Sequence, residues 1–267
     1  MQTKTCFIFV SLWLINFWSI GQSNLDFAIL QDSSNSISIK MTDSVMIKFR
    51  KVNRGYFKMG NSNGYKNEKP VHLVAMSDFY MQQTELTQKQ WKTITGNNPS
   101  YFNGCSDCPV EMVNYQMVTD YIDSLNNIIN DSIFIIKLPT EAQWEYAARG
   151  GSENSREYYS GSYRVNEVAW YNANSNEKTH IVGQKKANVL GLYDMSGNVF
   201  EWTSDWMHKY SKHNREDPIG PEKGKTKIIR GGCWFGGHEA CKVSTRVELA
   251  PEESNGCTGF RLIIKKK

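Results

Sequence analysis

Hydrophobic and polar residues change rhythm several times along this 267-residue chain, and each change marks an element. Lys4 precedes an apolar run from Cys6 to Ile20, broken only by Ser11, Asn16 and Ser19 and followed by Gly21-Gln22-Ser23. That is the pattern of a secretory signal peptide over residues 1–23. The run falls short of the roughly 20 apolar residues that a membrane span needs, so an uncleaved anchor is the alternative reading. Cys6 precedes the apolar run, whereas a lipid-modified cysteine should follow it, which argues against a lipoprotein anchor. No later segment is comparably apolar, so no stable membrane span is expected. Residues 24–44 are polar, with Ile37, Ile39 and Met41 alternating near the end, and read as an N-terminal arm or edge strand.

One domain is expected over residues 45–267. Val45 to Met59 gives two short strand runs about Asn53-Arg54-Gly55, which together predict a hairpin. Val71 to Met81 has a further strand pattern. Thr87 is the expected N-cap of a helix carrying Trp91 toward the core and ended by Gly96-Asn97-Asn98-Pro99. Met117, Val118, Tyr121, Ile122 and Leu125 follow the 3.6-residue period of a second helix. Phe134 to Leu138 reads as a short buried strand. Thr140 with Gln143 completes a capping box for a third helix, closed by Arg149-Gly150-Gly151. Gly151 to Asn188 then runs as one long loop, a length that is generally functional inside a compact domain.

The stretch Gly191 to Trp206, GLYDMSGNVFEWTSDW, stands apart. Asp194 and Glu201 flank the turn signal Ser196-Gly197-Asn198, so the backbone bends there and presents carbonyl oxygens between two carboxylates. Calcium takes six to eight oxygens of this mixed kind. The same acids could instead pair with Lys or Arg, and spacing alone leaves both readings open.

Composition narrows the class. Eight tryptophans and thirteen tyrosines describe an aromatic-rich, loop-rich globule. The net charge of +4 draws three charges from Lys265-Lys266-Lys267, and no basic stripe with interleaved aromatics suggests nucleic acid. Without Cys6, five cysteines remain: Cys105, Cys108, Cys233, Cys241 and Cys257. In an exported protein they are expected to pair, and the odd count leaves one over. Cys105 and Cys108 suit a small loop disulfide better than half of a zinc site, because no second pair stands at ligand spacing.

The order of LPTEAQWEYAARGG (138–151), GLYDMSGNVFEWTSDW, IIRGGCW (228–234) and GFRL (259–262) resembles the formylglycine-generating enzyme family, or sulfatase-modifying factors. The resemblance runs from about Met46 to Ile264. It implies an α+β fold of the C-type-lectin-like kind, with little regular secondary structure and bound calcium. One calcium would be held at Asp194, Gly197, Val199 and Glu201, the middle two through main-chain oxygens; a second is implied more weakly near Asn172 and Asn174. Active members convert a cysteine of a client sulfatase to formylglycine, with molecular oxygen and a copper(I) ion held by two thiolates, the soft ligands copper(I) prefers.

In the family, Arg-Gly-Gly is followed by Ser, two residues, Cys, four residues and Cys. Those positions here are Cys233, Gly236 and Cys241, so one copper cysteine is replaced by glycine. Cys233 with Cys241, and His238 as a neighbour, is the only substitute catalytic set, and it requires a rearranged loop. Otherwise Cys233 or Cys241 could bond Cys257; sequence does not fix which. His72, His180, His208, His213 and His238 are scattered, unlike the histidine cluster of the iron-dependent sulfoxide synthases that share the fold. Arg230, Arg246 and Arg261 are expected to brace loops through acids such as Glu145 and Glu201. Two functions follow. One is a noncatalytic, calcium-braced scaffold that uses the loops 151–188 and 207–225 to bind a protein client, surface protein or glycan. The other is the oxygen-dependent oxidase.

Overall fold

The computed structural model describes residues 27–33, 35–153 and 155–267. The expected signal peptide lies outside the described residues. The segment read as an arm forms two strands, β1 (Ala28–Ser33) and β2 (Ser36–Lys40), with Ile37, Ile39 and Met41 in the core. They are followed by β3 (Met46–Val52), β4 (Gly55–Met59), β5 (His72–Met76) and β6 (Phe79–Gln82). The helices α1 (Gln88–Thr95), α2 (Tyr115–Ile129) and α3 (Glu141–Ala148) come next, with β7 (Phe134–Lys137) between the last two. Beyond the one-turn α4 (Val165–Val168) lie β8 (Phe200–Trp206), β9 (Arg215–Glu216), β10 (Lys227–Arg230), β11 (Val247–Leu249), β12 (Thr258–Gly259) and β13 (Ile263–Lys266).

Three sheets result, in the orders β1-β2-β3-β6-β13-β7, β11-β10-β8-β12 and β4-β5-β9. The hairpin predicted for β3 and β4 does not form. Both edges of β3 are taken, by β2 and β6, so Asn53-Arg54 carries the chain out of the large sheet and β4 pairs with β5 instead. The helix signals translate directly. Thr87 and Thr140 accept from Gln90 and Gln143 main chains in reciprocal capping boxes, and Gly96 closes α1 in the left-handed conformation.

The first core packs α1 and α2 on the six-stranded sheet. Trp91 stacks on Tyr121 with ring centroids 5.1 Å apart, and both meet Phe260 edge-on. Trp202 joins this core from β8 and donates its indole N–H to the Val113 carbonyl at 3.0 Å. A second core surrounds α3, all eight residues of which are buried. A helix buried on every side must satisfy its own acids. Glu141 takes two hydrogen bonds from Arg246, at 2.6 and 2.8 Å, and Glu145 is held by Arg149 and Arg230. Arg230 also bonds the carbonyls of Thr245 and Val243, tying the 243–245 segment to α3. Among the described residues no helix is long and apolar enough to cross a membrane.

Trp91→Ala should cost about 3–5 kcal/mol, the usual range for a deleted core tryptophan. Tyr56→Ala, at a ring 68% exposed, should stay within about 0.5 kcal/mol of wild type. Denaturant midpoints decide it; equal midpoints for the two variants would contradict this core.

Candidate functional site

The turn of the 191–206 stretch is built on three residues with positive φ: Asp194 (55°), Gly197 (82°) and Asn198 (62°). Gly197 is required sterically as well as conformationally, since a Cβ there would come 2.4 Å from the Trp170 carbonyl oxygen. Its N–H donates to the Gly231 carbonyl, and that of Asn198 to the Trp170 carbonyl, both at 2.8 Å. The turn therefore joins the long loop to the Arg-Gly-Gly segment.

Its carboxylates meet a third acid that spacing does not reveal. Glu85, in the approach to α1, accepts from the Asn198 amide at 2.6 Å and the Val199 N–H at 2.9 Å. Glu201 is gripped by Arg261 through two 2.7 Å bonds and by the Trp144 indole N–H at 2.8 Å. Arg261 also donates to the carbonyls of Gln82 and Tyr193. Asp194 accepts the Gly183 N–H on Oδ2, while its buried Oδ1 has no hydrogen-bond partner. Three buried carboxylates thus surround one guanidinium. Burial pushes Asp194 up to about 6, and burial together with the charges of Asp194 and Glu201 pushes Glu85 well above the usual carboxylate range.

The cysteines sit beyond the turn. Cys105 and Cys108 are joined by a disulfide, whereas Cys233, Cys241 and Cys257 are free. The Cys233 and Cys257 thiols share a hydrogen bond, which lowers Cys233 and raises Cys257 from their ordinary range. The Trp234 indole N–H, 2.7 Å from the Gly256 carbonyl, holds their two segments together. Cys241 is fully buried, and burial pushes its thiol up to about 12. Gly236 lies between, donating its N–H to the Cys233 carbonyl; a Cβ there would have its nearest neighbour, Ala240 Cβ, at 3.4 Å. His238 is exposed and lies against Glu239. Among the described residues no three His, Cys, Asp or Glu groups converge on a point that could hold a metal ion.

Asn174 uses its whole amide on the chain around it, accepting from the Tyr171 N–H and donating to the Ala169 carbonyl, and Asn172 is exposed. The 151–188 loop is pinned in several places: His180 stacks on Trp170 at 3.8 Å, Lys185 lies over the same indole, and Asn188 bonds the Ala147 carbonyl. An exposed aromatic ridge stands nearer the thiols. Tyr101, Phe102, Trp234 and Phe235 follow one another edge to face at 5.0–5.4 Å, and the two end rings are about 70% exposed. No sequence pattern distinguishes Glu85, and the sequence signal for the ridge is the adjacency of Tyr101-Phe102 and of Trp234-Phe235.

Arg261→Ala should destabilise the fold by about 3–5 kcal/mol, because it leaves buried carboxylates without their cation. Arg261→Lys should recover only part of that, since an ammonium cannot reproduce the forked contacts. Chemical denaturation of both variants reads the difference, and wild-type stability of Arg261→Ala would refute the arrangement.

A model of the sulfatase-modifying factor enzyme 1-like domain matches residues 40–266. The "Chaperone protein LppX" of Paenibacillus barcinonensis is 33% identical over 284 residues, covering 89% of this chain and 95% of that protein. The formylglycine-generating enzyme of Streptomyces coelicolor is 35% identical over 142 residues, 47% of this chain and 45% of the enzyme. Among solved structures, Treponema denticola variable protein 1 matches with a TM-score of 0.79 and 29% identity, over 85% of this chain and 98% of that one. The three-sheet architecture, the Arg-braced turn and these matches agree: the chain belongs to the sulfatase-modifying factor enzyme 1-like family and has its C-type-lectin-like fold.

Proposed function

We propose that this protein is an exported, noncatalytic member of the family, a calcium-braced scaffold that binds a protein client. The observation that carries this reading is Gly236. The family's two-thiolate copper site requires a cysteine there, and the thiols present do not replace it. Cys241 is buried at the 232–241 turn within electrostatic range of Cys233, while Cys233 is engaged with Cys257. The family's pair of thiolates is therefore not reproduced at its own positions, and no oxidative step is assigned to this chain. A protein client is favoured over a glycan by the exposed aromatic ridge, since large aromatics carry much of the energy of protein interfaces. A relative bearing the name chaperone supports the same choice.

Calcium, by contrast, fits. Asp194 Oδ1 is a buried oxygen without a partner, and the Glu85, Asp194 and Glu201 group carries more negative charge than Arg261 neutralises. Glu201 accepts three hydrogen bonds, leaving one of its roughly four lone-pair positions. Asp194, Glu201 and the main-chain oxygens of Gly197 and Val199 would hold the ion, which would supply structural charge compensation rather than chemistry.

Reduced wild-type protein should bind no stoichiometric copper(I) in a competition titration, whereas Gly236→Cys, for which the backbone leaves room, should gain one equivalent. One tightly bound copper(I) in the wild type would restore the oxidase reading. For calcium, a chelator should lower the melting temperature by roughly 5–10 °C, as removal of a ligand present at about a hundred times its Kd would. Calcium should restore it, and Asp194→Asn should abolish the difference. In chelator, Asp194 keeps its proton to a higher pH folded than unfolded. Its contribution is therefore fully present below about pH 4 and is lost as pH rises through about 6. A pH profile that Asp194→Asn leaves unchanged, or melting indifferent to calcium, would remove the ion from the account.

A further inference from the structure

A cavity of about 460 Å³ lies between the end of β8, the start of α3, β5 and the 207–221 loop. Its volume is in the range of small-molecule sites. Asp205 forms the floor and is only 2% exposed. Both of its hydrogen bonds, from the Glu141 N–H at 3.0 Å and the Ser204 hydroxyl at 3.1 Å, end on Oδ2. Oδ1 is left to the cavity, with Gly220 packed over it so closely that a Cβ would come within 3.0 Å.

No protein cation hydrogen-bonds this acid, although the Lys227 ammonium lies within electrostatic range of it. Lys227 is turned to the Ser204 carbonyl and held between Trp206 and Tyr115, with its Nζ 3.9 and 4.2 Å from the ring centroids. Arg246 makes four hydrogen bonds, two to the Glu141 carboxylate and one each to the Asn67 and His208 carbonyls, and lies on the ring of Tyr210. Lys209 and Arg215, which also line the cavity, are exposed residues of the closing segment. The remaining wall is rich in acceptors. His72 and His208 each place Nδ1 against a carbonyl, of Pro70 and Trp206 respectively, which fixes the proton there and leaves Nε2 as the acceptor nitrogen of the imidazole form. A buried carboxylate with no cation hydrogen-bonded to it, beside acceptors, calls for a positively charged donor.

We propose that this cavity binds a primary ammonium group. A metal ion is disfavoured because the His72, His208 and Asp205 groups do not converge on one point. A guanidinium fork needs two free carboxylate oxygens in one plane, and Oδ2 already holds two donors. An ammonium ion, a compact head with three N–H donors, needs only Oδ1 and one or two further acceptors. The group could belong to a free aliphatic amine or to a lysine side chain of a peptide. This inference is independent of copper and of the aromatic ridge, and it stands or falls separately from the scaffold reading.

The test is a calorimetric and NMR titration of the full chain, in calcium, with n-butylammonium, Nα-acetyl-lysine amide, n-butylguanidinium and neutral 1-butanol. Butylammonium should bind and shift resonances of His208 and Tyr210, and 1-butanol should not. Tighter binding of the lysine derivative identifies a peptide source, and tighter binding of butylammonium a free amine. Asp205→Asn, nearly isosteric and checked for an unchanged near-ultraviolet spectrum, should weaken binding at least tenfold. Burial and the Glu141 charge push Asp205 up to about 7, so wild-type affinity should rise as pH passes through 7. Glu141, Lys227, Tyr115, Tyr210, His72 and His208 also surround it, and the flat profile expected of Asp205→Asn assigns the titration to this residue. Equal binding of butanol, equal or tighter binding of butylguanidinium, or undiminished binding by a folded Asp205→Asn protein would each overturn the proposal.

Discussion

The pairing of buried arginines with buried carboxylates holds this fold together across its long irregular segments. Arg261 reaches from the last strands to Glu201 at the start of β8, and bonds the carbonyls of Gln82 and Tyr193 on the way. Arg230 and Arg246 do the same for α3 and the C-terminal segment. Long irregular segments between the sheets are not fixed by strand pairing, and charges removed from water are stable only when each is matched. The geometry of the 194–201 turn, the position of α3 and the placement of the thiol segment all follow from these three side chains.

At the turn the matching is incomplete, and that imbalance connects structure to function. Arg261 serves Glu201 fully, leaving Asp194 and Glu85 to hold protons or to attract a cation. The turn is a structural centre that bridges the long loop, the Arg-Gly-Gly segment and α1. The thiols lie beside it on separate footing: Cys233 faces Cys257, Cys241 is enclosed, and Gly236 supplies no ligand. A rigid brace beneath an exposed row of aromatic rings suits recognition, in which a preorganised surface loses little entropy on binding.

Local chemistry was legible in the sequence wherever one short segment contained the whole device. Thr87 is an N-cap directly before its helix, Thr140 with Gln143 is a capping box within four residues, and the apolar stripe of α2 repeats within one helix. The pairing of β4 was not legible, because its alternation is the same whether its partner is β3 or β5, and strand choice depends on which edges are already occupied. Glu85 and Asp205 carry no sequence signal for a related reason. Glu85 meets Asn198 across 113 residues and Asp205 meets the Glu141 N–H across 64, so neither spacing carries a signal. The order of motifs revealed the family because it spans nearly the whole domain, whereas the role of Gly236 depends on what its neighbours contact.

Oxygen uptake bears most directly on the central claim that this member binds rather than oxidises. Reduced protein supplied with copper(I) and a cysteine-bearing sulfatase peptide should consume no oxygen above the protein-free control and yield no formylglycine by mass spectrometry. Sustained uptake with stoichiometric conversion of the peptide cysteine would contradict the account and return the 233–241 segment to catalysis.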